Sequence, residues 1–191
     1  NYRFRTKQAI KVISSVFVGL TIFAALAFFL AGMSIFDAVN HAFSVAATGG
    51  FSTKNASIGA YDSWLIEFVA VVFMLLGGMH FGLIYSTFAE RSLKLFRSPI
   101  TKFYLGTVAV ATVLVSLDLF VHGVEGSFWE NIWNSLFNVV SFISTTGFGT
   151  VDTSVWPSLS ILLLIFLSIQ CACSGSTTGG LKSDRVYIFW K

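Results

Sequence analysis

The sequence predicts an all-α integral membrane protein of two parallel repeats, each a spanning helix, a half-length helix, a glycine-rich loop and a second spanning helix. Three observations carry this. Of 191 residues, 55% are hydrophobic and 11% charged, whereas soluble domains carry about a quarter charged residues. The basic residues are sorted along the chain into three clusters separated by long apolar runs. The whole pattern recurs when the sequence is shifted by 97 places.

Arg3, Arg5, Lys7 and Lys11 open the chain, Arg91, Lys94, Arg97 and Lys102 sit midway, and Lys182, Arg185 and Lys191 close it. Lys54 stands apart, and Asp37, Asp62, Glu125, Glu130 and Asp152 occupy the intervening stretches. The positive-inside rule therefore puts both ends and the Glu90–Lys102 connector in the cytoplasm. Trp64, Trp129, Trp133 and Trp156 fall in the opposite stretches, as an aromatic belt at the outer interface requires. A nucleic-acid surface is excluded, because the basic clusters never merge into one face. No cleavable signal peptide is visible, since the first apolar run is long and lacks a small-residue cleavage site. The start at Asn1 points to excision from a longer chain.

Val12–Met33 is 22 residues without a charge, roughly 33 Å as a helix and enough for a hydrocarbon core of about 30 Å. Ile35–Thr48 reads as a short, mildly apolar helix that ends in Thr48-Gly-Gly-Phe-Ser-Thr53. Phe68–Ala89 is a second span, with His80 its polar intruder beside Gly77, Gly78 and Gly82. Small residues there predict close helix packing, with His80 packed among them. Phe103–Val124 is the third span, carrying Asp118 and His122 at its outer end. Ile132–Thr145 is a second half-helix and leads into Thr145-Thr-Gly-Phe-Gly-Thr150. Leu159–Cys173 is an apolar run of only 15 residues, then Ser174-Gly-Ser-Thr-Thr-Gly-Gly180 follows before any charge. Cys171 and Cys173 read as small packing residues on that helix, too divergent for a disulfide or metal site.

The shift of 97 sets Ser44 on Ser141, Thr48 on Thr145, Gly50 on Gly147, Phe51 on Phe148 and Thr53 on Thr150. Both copies have basic flanks, so they are parallel repeats about an axis along the membrane normal. Residues 1–97 form one unit: first span (M1) about 12–33, pore helix about 35–48, filter about 48–53, second span (M2) about 63–92. Residues 98–191 form the other: M1 about 101–124, pore helix about 130–145, filter about 145–150, and M2 about 158–191, broken at about 174–180. A half-helix followed by glycine-rich extended backbone is the sequence form of a re-entrant loop, tolerable at membrane depth only where it lines protein or water.

The chemistry of such loops is cation transfer. A dehydrated monovalent cation needs several weakly basic oxygens, and backbone carbonyls supply them without the fixed charge that would trap it. Glycine permits the angles that aim successive carbonyls one way, and the half-helix turns its negative dipole end toward the ion. Thr145-Thr-Gly-Phe-Gly149 is close in character to the potassium-channel filter Thr-Val-Gly-Tyr-Gly. Expected ion ligands are Thr48, Gly49, Gly50, Phe51, Thr145, Thr146, Gly147, Phe148 and Gly149. On the pore helices, Asn40, His41 and Asn138 are expected to make buried hydrogen bonds that support the filter.

Ala46-Ala-Thr-Gly-Gly-Phe-Ser-Thr-Lys-Asn-Ala-Ser-Ile-Gly59 with Val72-Phe-Met-Leu-Leu-Gly-Gly78 resembles the second repeat of the TrkH branch of the TrkH/KtrB/HKT potassium transporter superfamily. Ser144-Thr-Thr-Gly-Phe-Gly-Thr150 resembles its third repeat, and Ser174-Gly-Ser-Thr-Thr-Gly-Gly-Leu-Lys182 the break in that repeat's last helix. The resemblance covers essentially the whole chain. It implies four M1–pore helix–filter–M2 repeats in a fourfold pseudosymmetric, potassium-channel-like pore, of which this chain is half. Gly50 and Gly147 are then the filter glycines and repeats one and four are missing. It further implies potassium as the transported ion, no cofactor in this chain, an inner-membrane location with the filter loops facing outside, a homodimer, and a TrkA-like cytoplasmic nucleotide-binding regulatory subunit.

Ser174, Gly175, Ser176, Thr177, Thr178, Gly179 and Gly180 are the expected gate, an intramembrane loop beneath the filter. The plainer alternative is a frayed helix end with glycine caps. A phosphate-binding loop is excluded, because that motif needs Lys where Leu181 stands. Asp118 and Glu67 are candidates by membrane depth, and Lys54 reads as a solvated loop residue. The sequence leaves open a sodium- or proton-coupled symporter on the same scaffold. An intramembrane hydrolase is the rival from another class, but His80 and His122 lie at different depths from one another. The chain is therefore expected not to be an enzyme.

Overall fold

The computed structural model describes residues 2–89, 94–124 and 127–190, with side chains from 7 onward except at 94 and 190. Glu90, Arg91, Glu125 and Lys191, and the side chains of Arg3, Arg5 and Lys94, lie outside the described set, so part of the Glu90–Lys102 connector does too. The described residues form helices and turns without a strand.

The first repeat opens with α1 (Tyr2–Leu30), whose segment from Lys7 is long and apolar enough to cross a membrane. The half-helix α2 (Ile35–Ala46) follows, with the Ser34 hydroxyl accepting from the Asp37 amide at 3.1 Å as its N-cap. A 3₁₀ turn, Ser57–Tyr61, leads into α3 (Trp64–Gly78) and α4 (Phe81–Ala89). The short α5 (Lys94–Arg97) links to the second repeat. There α6 (Pro99–His122) is again long and apolar enough to cross, ending on Gly123 in the left-handed conformation. The half-helix α7 (Phe128–Ile143) starts at a capping box between Ser127 and Glu130, as its Ser-x-x-Glu start dictates. The chain then runs through α8 (Ser158–Gln170) to α9 (Ser183–Trp190).

Each half-helix packs on its own first span, α2 on α1 and α7 on α6, and α7 also meets α3 of the first repeat. The core is continuous through both repeats and includes Phe28, Val45, Met74, Tyr104, Phe137 and Ile143. Lipid-type side chains remain outside: Phe23, Leu30, Val121 and Leu162 are exposed.

Four expectations change. Phe68–Ala89 is not one span, because α3 and α4 meet at a bend of 102°. At that break, the Gly78 carbonyl accepts from the Cys173 amide and the Phe81 amide donates to the Gly175 carbonyl, both at 3.0 Å. The backbone groups freed by the bend are thus satisfied by a distant segment, which makes a break at membrane depth tolerable. The last helix breaks earlier than Ser174, at Cys171, which adopts φ 53 and ψ −179. Cys171 and Cys173 are buried free thiols as expected of packing residues, but in the break rather than on a helix. Trp156 is buried rather than interfacial.

Candidate functional site

Both half-helices end in the same way. The Ala47 amide donates to Phe43, Thr48 to Val45 and Gly49 to Ser44, at 3.0, 3.2 and 2.8 Å. In the second repeat Ser144 donates to Val140, Thr145 to Phe142 and Thr146 to Ser141, each at 3.0 Å. This is a Schellman ending, in which the residue after the C-cap turns left-handed and reverses the chain. Thr48 and Thr145 hold that position at φ 50 and 53, and Gly50 and Gly147 follow at φ 69 and 83. Left-handed backbone is strained for a β-branched residue, and such strain concentrates at functional sites. Two alternations of hand within three residues turn carbonyls that a continued helix would have aimed along its axis.

The two loops touch. A Cβ on Gly50 would collide with the Thr146 carbonyl oxygen, so glycine is required there for close approach as well as for its angle. The outer turn of the first repeat then braces the second loop. The Gly59 amide donates to the Gly149 carbonyl at 3.1 Å, and the Gly149 amide donates to Ser57 Oγ at 3.2 Å. From the other side, Ser141 Oγ–H donates to the Phe148 carbonyl at 2.6 Å. Phe148 is therefore buried with its carbonyl tied to the supporting helix, whereas Phe51 is 84% exposed. Thr146 bonds the Ser144 hydroxyl at 2.8 Å. The loop residues themselves carry no charge, so the oxygens they present to an ion are neutral.

Support from the half-helices is uneven. His41 is fully buried, between the Asp37 carbonyl at 2.8 Å and Ser52 Oγ at 2.9 Å. Asn138 is buried and donates to the Asn134 carbonyl at 2.9 Å, within its own helix. Asn40 is exposed, and among the described residues its side chain bonds the carbonyl of Phe36 at 2.7 Å, so it gives no buried support. Thr53 Oγ–H donates to the Asp37 carboxylate, and Lys54 Nζ lies 3.8 Å from it. Lys54 is thus paired although half exposed. Burial pushes the nearby Tyr61 phenol above its ordinary range, keeping it neutral beside Asp37.

The 171–182 segment is a closed loop rather than a frayed end. The Leu181 amide donates to Ile169 and the Ser183 amide to Ala172, both at 3.0 Å, bringing the two ends of the break together. Ser176 Oγ–H donates to the Cys173 carbonyl at 2.6 Å and also meets the Thr178 hydroxyl at 2.7 Å. Lys182 Nζ reaches the Thr178 carbonyl and hydroxyl. Ser174 takes Asp184 as partner at 3.3 Å. The loop reaches the filter directly, since the Gly179 amide donates to Thr145 Oγ1 at 3.0 Å. It reaches the α3–α4 bend through Thr177 Oγ1 to the Gly77 carbonyl at 3.4 Å. His80, expected within a packed span, sits at the bend with its Nδ1 accepting from Gly82 at 3.0 Å. A Cβ on Gly175 would come within 3.0 Å of the His80 ring.

The sequence-marked residues thus fall together: both filter clusters meet, and the gate cluster touches Thr145. Reasoning from sequence missed Ser57, Gly59, Ser141 and Ser52. Ser141 carried a signal, its match to Ser44 in the repeat, and Ser57 and Gly59 stood within the Ala46–Gly59 segment of the family resemblance without a role of their own.

Comparison with known proteins gives a consistent result. Residues 3–191 match the family described as TrkH, cation transport protein. The Trk system potassium uptake protein TrkH of Escherichia coli K12 is 38% identical over 190 residues, 99% of this chain and 39% of that protein. The potassium uptake protein TrkG of the same organism is 35% identical over 166 residues, 85% of this chain and 33% of the relative. The crystal structure of the potassium transporter TrkH from Vibrio parahaemolyticus superimposes with a TM-score of 0.92 at 34% identity, over 97% of this chain and 40% of that one. The chain spans about two fifths of the length of these TrkH relatives.

Proposed function

This chain belongs to the TrkH cation transport protein family, and from that membership we propose that it supplies two pore-loop quarters of a potassium-uptake pathway. One observation carries the reading: two glycine loops with the same alternation of backbone hand lie in contact at matching places in two membrane repeats. Carbonyls of Thr48, Gly49 and Gly50, and of Thr145, Thr146 and Gly147, take the place of part of the ion's water shell. The dipoles of α2 and α7 end at those loops and favour a cation there. Phe51, Phe148 and Gly149, also expected ligands, complete the strands; the carbonyls of Phe148 and Gly149 are already engaged by Ser141 and Gly59 and hold the second strand in shape.

The 174–180 loop is the gate in this reading. Its bonds to Thr145 on one side and to the α3–α4 bend on the other support a position beneath the filter. Two further repeats of the same polypeptide complete the ring, and the relatives' greater length supports this. The filter mouths face outside, and the basic ends face a cytoplasmic nucleotide-binding regulator of the TrkA kind, in an inner-membrane homodimer.

The test is ion selectivity of the full-length protein in proteoliposomes. Gly50→Ser and Gly147→Ser should each weaken discrimination of potassium over sodium, because a side chain reshapes the carbonyl cage. Unchanged selectivity in both variants would overturn the assignment.

A further inference from the structure

His41 touches both filter segments, Ser52 of the first and Phe148 of the second, and is fully buried. Its Nδ1 faces the Asp37 backbone carbonyl at 2.8 Å. A carbonyl can only accept, so Nδ1 carries the proton. In the neutral ring Nε2 is then the lone pair, and Ser52 Oγ–H donates to it at 2.9 Å. Ser52 Oγ in turn accepts from the Lys54 amide at 3.1 Å. The next residue is held by the same helical turn, since Thr53 donates to the Asp37 carboxylate. Residues 52–54, where the first filter strand leaves the ion path, are thus fastened to one turn of α2 through a chain in which every donor has one acceptor.

The same ring meets the second filter. Phe148 packs on His41 with ring centroids 5.7 Å apart. Tyr61 packs edge-on at 5.7 Å and closes the Ser57–Tyr61 turn, whose Ser57 and Gly59 hold Gly149. A shift of the imidazole therefore moves three things: the exit of the first strand, the aromatic of the second, and the turn that bonds the second strand's Gly149. The second repeat has no copy of this device. Its matching positions are Asn138 and Gly149, so neither the imidazole nor the hydroxyl is present there, and Asn138 donates to Asn134 within α7.

We propose that His41 is a positioning residue for ion selectivity, setting the spacing of both filter strands at once through its Nε2 bond to Ser52 and its ring contact with Phe148. Selectivity between cations of different radius depends on how firmly the coordinating carbonyls hold their spacing. A fully satisfied buried network gives that firmness, and a half-satisfied one loses it. The inference rests on the potassium-pathway reading above.

The experiment measures potassium and sodium uptake by the full-length protein in proteoliposomes, expressed as their ratio, which does not depend on the amount of folded protein. Ser52→Ala removes the hydrogen bond and leaves the ring. His41→Phe keeps ring packing and removes both bonds. Each should lower the ratio by about threefold or more, the scale of one lost hydrogen bond. The double variant should fall no further than His41→Phe alone, because both changes break the same bond. Ser52→Thr, which keeps the hydroxyl, should restore the wild-type ratio. A wild-type ratio in Ser52→Ala, or additive losses in the double variant, would overturn the proposal. Absence of any potassium preference in the wild-type protein would instead overturn the potassium reading, and this inference with it.

Discussion

Asp118 Oδ2 accepts from both the amide and the hydroxyl of Ser160, at 3.0 and 2.6 Å. Pro157, which occupies the cap position of α8, makes no side-chain cap, so a carboxylate borrowed from α6 serves the first turn. The His122 ring lies 3.3 Å from the other oxygen. Membrane depth alone made Asp118 a functional candidate, but its partners make it a fastener between two helices. Glu67 has the same character, accepting the indole N–H of Trp133 across the two repeats. Asp118→Ala in the full-length protein should cost about 0.5–2 kcal/mol, the usual scale of a lost cap. Thermal unfolding in detergent should show a lower midpoint, with the potassium-to-sodium ratio unchanged; an unaltered midpoint would contradict the cap. At this scale the sequence disclosed glycines better than polar side chains. Gly50 and Gly147 were readable because the repeat marks them twice. The left-handed threonines were not, since nothing in a Thr-Gly pair distinguishes a Schellman ending from an ordinary loop.

Two breaks in membrane helices sustain each other. The bend between α3 and α4 exposes backbone groups at Gly77, Gly78 and Phe81, and the 171–182 loop supplies partners for all three. Gly78 allows the approach, because a Cβ there would meet the Tyr104 hydroxyl and Ala172. The sequence exposed one break through the shortness of its apolar run. The other was hidden, since 22 residues without a charge fit a continuous span and the partners lie far along the chain. Removal of the loop should therefore act on both elements. Deleting Ser176–Gly179 in the full-length protein should raise basal potassium flux and preserve the preference over sodium. Flux at the wild-type closed level, with the protein folded and inserted, would contradict a gating role.

The contact between the repeats has a direction. Phe148 of the second repeat packs on His41 of the first and is 1% exposed, while its counterpart Phe51 is 84% exposed. Gly50 of the first repeat is backed by Thr146 of the second, while Gly147 has nothing within 4 Å of its would-be Cβ. One side of each contact is thus open at the first repeat and the other at the second. A head-to-tail contact of this kind closes into a ring when the rotation between copies allows it, which is the arrangement that the proposed pathway of further repeats requires. The repeat architecture was legible from charge clusters and the shift of 97. The direction of the contact was not, because it depends on which phenylalanine finds a histidine beneath it. An ion held between carbonyls of both loops is tested directly by anomalous diffraction from crystals of the full-length protein grown in rubidium. A rubidium peak flanked by the carbonyls of the Thr48–Gly50 and Thr145–Gly147 strands is expected. Rubidium bound only at side-chain carboxylates elsewhere, with the space between these strands empty, would contradict it.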